Sequence, residues 1–144
     1  MASGKPPQEW YSAWCKALYI IHSELDKHCD PALHRGDRAF IDYIYGGVTI
    51  DTLIQPYKYV EQLDTKEKID GAIYVLTGAH LMGGEIMRRR LEGYPVKHLE
   101  WDDRKAALTI LQEYRLRDDI GDEARDCFSA LLAIMDEILE RYPQ

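Results

Sequence analysis

Residues 64–93 constrain this chain more than any other stretch, because they carry the start and stop signals of one long helix with apolar residues around more than half its girth. Asp64 and Glu67 have the spacing of a capping box, in which the Asp64 carboxylate accepts from the amide of residue 67 while Glu67 reaches back to the Asp64 amide. At the other end Arg88, Arg89 and Arg90 place cations near the negative end of the helix dipole, Gly93 supplies a left-handed cap, and Pro95 blocks continuation. Between them Ile69, Ile73, Leu76, His80, Met87 and Leu91 recur at three- and four-residue steps on one face, and Val75, Ala79, Met82 and Ile86 form a second apolar strip beside it. Such a helix belongs in the middle of a fold. Gly71, Gly78, Gly83 and Gly84 each weaken it by roughly 1 kcal/mol relative to Ala, which predicts close approach of a neighbouring backbone in preference to a kink at Gly83-Gly84.

The other segments read as helices that pack against this one. Pro6-Pro7 pre-set a first helix running to about Cys29, with Trp10, Trp14, Ala17, Leu18, Ile21 and Leu25 facing the core, and Asp30-Pro31 ends it. Residues 39–54 admit two readings. A small β-hairpin would pair Ile41, Tyr43 and Tyr45 with Val48, Ile50 and Thr52 across Gly46-Gly47. The preferred reading is a short helix over residues 37–45, a stop at the glycines, and a second helix capped by Thr49, giving a helix-turn-helix corner. Residues 57–63 suit a short helix, residues 102–116 a longer one starting at about Asp102 or Asp103, and Asp122 caps the last helix, which buries Phe128, Leu131, Leu132, Met135, Ile138, Leu139 and Tyr142. The expected fold is all-α, a single domain over residues 1–144. It is a compact irregular or orthogonal bundle of five to seven helices around the helix at about 64–92.

A chain of 144 residues can bury roughly two thirds of its unfolded surface and hold a core without staples. Three cysteines, Cys15, Cys29 and Cys127, show no pairing pattern and read as reduced thiols of a cytoplasmic protein. The start, Met1 to Pro7, lacks the apolar core of a signal peptide, and no stretch is long and apolar enough to span a membrane. The net charge of −7 is concentrated late: residues 100–144 hold twelve acidic and six basic side chains. That surface repels nucleic acid, which demands basic groups to displace phosphate counterions, and suits a protein partner with a basic face.

No motif names a reaction. Three histidines lie between His22 and His34, where His22, Asp26, Cys29 and His34 could be imagined around a metal, but the spacing matches no zinc pattern. His80, mid-face on the long helix beside glycines, is the candidate for a small pocket with Glu85, which lies one to two turns on but is angled away and so makes a weak acid–base partner. Glu100, Asp102 and Asp103 beside His98 form an acidic cluster without the Glu-x-x-Glu pair by which helical pyrophosphatases hold metal. No catalytic residue, cofactor or metal is therefore assigned. The would-be reading helix of the corner, residues 50–55, carries an acid and no Arg or Lys, which argues against DNA.

Five of the ten tyrosines fall within residues 43–74, and tyrosine suits contact surfaces because it joins apolar area to a polar tip. The favoured reading is a non-enzymatic interaction module, a small acidic helical inhibitor or regulator of the kind carried by phages and mobile elements, that occupies a partner's surface. Its candidate contacts are Tyr43, Tyr45, Tyr57, Tyr59, Arg88, Arg89, Glu100, Asp102 and Asp103. The rivals are a helical enzyme or metal protein using His80 or the His22–His34 cluster, and a helix-turn-helix DNA regulator. The two wide apolar stripes exceed what one chain of this length covers, which raises a homodimer through the last helix or the glycine-containing one.

Overall fold

The long helix forms over Lys66–Arg90 (α4), and its start shows how a cap is chosen. Thr65, with an extended backbone, accepts from the Lys68 amide at 3.2 Å, while the Asp64 carboxylate pairs with the Lys68 ammonium at 3.0 Å. The capping box expected from Asp64 is therefore not made: the cap sits one residue later, where a hydroxyl reaches the same turn. At the far end Gly93 takes the left-handed conformation and the Tyr94 amide donates to the Leu91 carbonyl, as the stop signals require. The helix runs unbroken through Gly83-Gly84. A Cβ on Gly71 would lie 2.6 Å from Glu123 Cβ, and one on Gly84 3.4 Å from the Leu99 carbonyl, so these two glycines admit neighbours; Gly83 faces open space.

The structure, a computed structural model, describes residues 5–144, and the first four residues of the start lie outside it. Among the described residues there are six α-helices and no strand. Besides α4 they are Gln8–Leu25 (α1), Gly36–Tyr45 (α2), Gln55–Gln62 (α3), Arg104–Arg115 (α5) and Gly121–Arg141 (α6), with short 3₁₀ turns at Asp26–His28, Pro31–Leu33 and Lys97–Leu99. No helix is long and apolar enough to cross a membrane.

α1 stops short of Cys29 because Asp26 turns its carboxylate to the start of α2, accepting from the Arg35 and Gly36 amides at 3.2 and 2.7 Å. At the glycine pair α2 ends, with Gly47 at φ +72°, and no hairpin follows. Neither does the helix-turn-helix corner. Residues 48–53 are non-helical because Ile50 and Leu53 are pulled into the core, and the Ile50 amide donates to the Tyr43 hydroxyl while its carbonyl accepts from Lys16. Thr49 caps nothing, and the next helix waits until Gln55. There the Ile54 and Gln55 amides both donate to the Glu137 carboxylate of α6, at 2.7 and 2.8 Å.

α5 starts where expected, and Asp103 caps it through the Ala106 amide. The cap expected from Asp122 is not made: α6 has no side-chain cap, because it starts one residue before Asp122, after buried Ile120, and Asp122 sits inside the first turn paired with Arg125. Its wide stripe is also split. Cys127, Ile134 and Ile138 are buried, whereas Phe128, Leu132, Met135 and Leu139 face outward. α4 divides likewise, with Val75 buried and Ala79, Met82 and Ile86 exposed. α4 packs on α5 and α6; α1, enclosed on most sides, packs on α2, α3 and α6 and shares the central position expected of α4 alone.

Candidate interaction surface

The densest set of titratable side chains is buried where α1, α2, α4 and the 97–99 turn meet. His22, His80 and His98 are 1%, 4% and 0% exposed, with ring centroids 5.3 Å apart from His22 to His80 and again from His80 to His98. Asp42 of α2 accepts from the Lys97 and His98 amides at 2.8 Å and from His98 Nδ1 at 2.6 Å. Arg35 donates to the His98 and Glu100 carbonyls, and its guanidinium lies 3.5 Å from the centre of the Trp101 ring. Burial, reinforced by His98 and Arg35, pushes His22 down to about 3; burial, with His22, His98 and Arg35, likewise holds His80 well below the usual imidazole range. His22 and His80 are thus neutral rings in a closed interior. Among the described residues no group of three or more His, Cys, Asp or Glu side chains is placed to hold a metal ion.

The expected His80–Glu85 pocket is not formed, since His80 faces the core while Glu85 faces solvent and pairs with Arg88 at 3.4 Å. Five residues on a helix turn the side chain well away from its predecessor. The His22–His34 set also separates. His22 joins the buried trio, Asp26 caps α2, His34 Nε2 stands 3.1 Å from the Cys29 carbonyl, and burial pushes the Cys29 thiol up to about 12.

The tyrosines divide in two. Tyr59 is buried with its hydroxyl against Cys127, and Tyr43 is half-buried on Ile50 with the Lys16 ammonium 5.5 Å from its ring centre. Tyr45 and Tyr57 are 77% and 49% exposed, and Ile44 and Ile54 are exposed as well. The acidic cluster is partly structural: Asp103 caps α5, the Glu100 carbonyl takes Arg35 and Arg38, and Arg38 at 2.8 Å holds the exposed Asp102 carboxyl below its ordinary range. Arg88 and Arg89 stand in solvent at the end of α4.

The Glu137 carboxylate that holds the start of α3 also sets the surface. It ties the Ile54 and Gln55 backbone to the C-terminal half of α6, a stretch on which Asp136 and Glu140 are exposed. Half-exposed Ile54 and Tyr57 thus lie at the start of α3, the end tied to α6. Sequence reasoning passed over Ile44, Ile54 and Glu137; the one readable signal was Pro56, which favours the first turn of a helix and leaves the amides before it to be satisfied from elsewhere. Compared with protein-family models and with curated proteins, the chain matches none.

Proposed function

We propose that the chain is a non-enzymatic interaction module that acts by occupying the surface of a partner protein with a basic face. The observation that carries this reading is the start of α3, where Ile54 and Tyr57 are about half exposed at the end that the Glu137 carboxylate ties to α6 through the Ile54 and Gln55 amides. Exposed large apolar side chains supply affinity in a docking surface, and the acidic excess of residues 100–144 would steer encounter with a basic partner. Ile44 and Tyr45, at the end of α2, are two further exposed apolar side chains. Tyr43 and Tyr59 serve the fold that presents them. An enzymatic reading through His80 has less support, because its ring is enclosed among His22, His98 and Arg35.

The test is capture from source-cell lysate after nuclease treatment, at low and high salt, with the natural chain and with Tyr57→Ser and Tyr45→Ser. The reading expects a stoichiometric partner that is weakened by high salt and lost in at least one tyrosine variant. A partner bound equally by both variants and at both salts would refute it.

A further inference from the structure

The widest apolar surface lies elsewhere, on α4 and α6. Phe128, Leu132, Met135 and Leu139 recur at four-, three- and four-residue steps on α6 and are 42–65% exposed; Met82 and Ile86 on α4 are 68% and 60% exposed. The two helices run parallel. Gly71 opposes Glu123 near their starts, and Met87 and Leu91 border the same cleft as Met135 and Leu139 near their ends. Side chains of these sizes at these exposures form one face of roughly 600–700 Å², above the few hundred Å² usual on a monomer and close to one side of a standard protein interface.

Two details say what covers it. Gly83 weakens α4 yet has no atom of its own chain within 4 Å of where a Cβ would stand. With exposed Ala79 one turn earlier it leaves the outer backbone of α4 bare at the middle of the face, which suits another helix crossing closely. The face is also knobbed at one end and hollow at the other. Phe128 projects near the start of α6, while Trp10, Trp14, Leu91 and Leu139 border a cleft of about 290 Å³ near its end. Eleven residues separate Phe128 from Leu139, about 16 Å of helix. A two-fold axis near Gly83 and Leu132 carries the knob of each copy onto the cleft of the other and sets the α6 dipoles antiparallel.

We propose that this face pairs with a second copy of the chain in a symmetric antiparallel dimer, with Phe128 of each copy seated in the Trp10–Trp14 cleft of its partner and α4 crossing α4 at Gly83. The contact is isologous, so it closes on itself and leaves no sticky end. The Ile54–Tyr57 surface stays free in both copies, and a dimer presents it twice.

Sedimentation equilibrium of the full chain over a dilution series through the micromolar range tests this. The natural chain is expected at twice the chain mass, dissociating on dilution. Leu132→Glu and Gly83→Leu, both at open positions, are expected to be monomeric with unchanged helical circular dichroism, and Phe128→Ala to weaken association at least about tenfold. In a Cys29→Ser background, Leu132→Cys should form a disulfide with its own copy, and Phe128→Cys should link to Leu139→Cys in preference to itself. A natural chain that is monomeric throughout, a dimer indifferent to Leu132→Glu and Gly83→Leu, or a Phe128→Cys chain that links to itself would each overturn the proposal.

Discussion

Acid should unfold this protein from the inside, and His22 sets the size of the effect. In the folded chain its imidazole takes a proton only at about pH 3, because burial and then His98 and Arg35 oppose the charge; in the unfolded chain it does so at about 6.5. Between those values the unfolded chain binds more protons, so the stabilisation is complete above pH 6.5 and is lost as pH falls toward 3. At pH 5 the loss is about 1.5 pH intervals at 1.36 kcal/mol each, or about 2 kcal/mol. His80 adds to it in the same direction. Glu24, Asp64, Asp102 and Asp119, held low by their Lys or Arg partners, lose their contribution only below the ordinary carboxylate values, and Asp26, raised by burial, works the opposite way. Comparing the natural chain with a His22 variant from pH 7.5 to 5 isolates that ring, because the carboxylates are common to both. For a chain of this size 2 kcal/mol lowers the melting temperature by about 4–8 °C. Thermal and urea melts of the natural chain and of His22→Gln at constant ionic strength would read it. The variant starts less stable but should lose about 2 kcal/mol less over the interval. Equal pH slopes in the two proteins, or a His22 ring titrating near 6.5 by NMR, would refute the reasoning.

Four further outcomes follow from the packing. Glu137→Ala removes both carboxylate bonds at the start of α3, so stability should fall by about 1–2 kcal/mol and amide exchange at Ile54 and Gln55 should rise first. Asp42→Asn leaves three buried donors with one fewer charge to share, and denaturant melts should show a loss of about 3 kcal/mol. Gly71→Ala should destabilise by about 1–3 kcal/mol because its Cβ meets Glu123, whereas Gly83→Ala, compared in a Leu132→Glu background, should stabilise by up to about 1 kcal/mol. Cys15 and Cys127, buried and raised to about 12 and 11 chiefly by that burial, should react with a thiol reagent only after unfolding.

What could be read from the sequence was what local physics decides. The α4 helix was legible because a 3.6-residue period, a last-turn arginine run and a Gly-x-Pro stop agree over about thirty residues, and the all-α class followed from it. The start of α4 was misplaced by one residue because Asp64 and Thr65 can both reach the first turn, and only the extended backbone at Thr65 decides. Residues 48–53 were misread because burial of Ile50 and Leu53, a tertiary effect, overrides the local turn signal. The caps of α2 and α3 come from Asp26 and Glu137, which are distant in sequence, so no window around either helix contains them. The histidine trio draws one ring each from residues 22, 80 and 98 and was invisible for the same reason. Periodicity showed that α6 was apolar over a wide arc, but which part of the arc is covered depends on where α4 and α1 lie.

The most direct test of the interaction reading is hydrogen–deuterium exchange of the chain in complex with its captured protein partner, compared with the chain alone. New protection should fall on residues 44–58 and on the end of α6 around Asp136 to Glu140, with the buried histidine segments unchanged. Protection confined to other surfaces, or none in a complex that survives purification, would contradict the assignment of the α3–α6 junction as the docking surface.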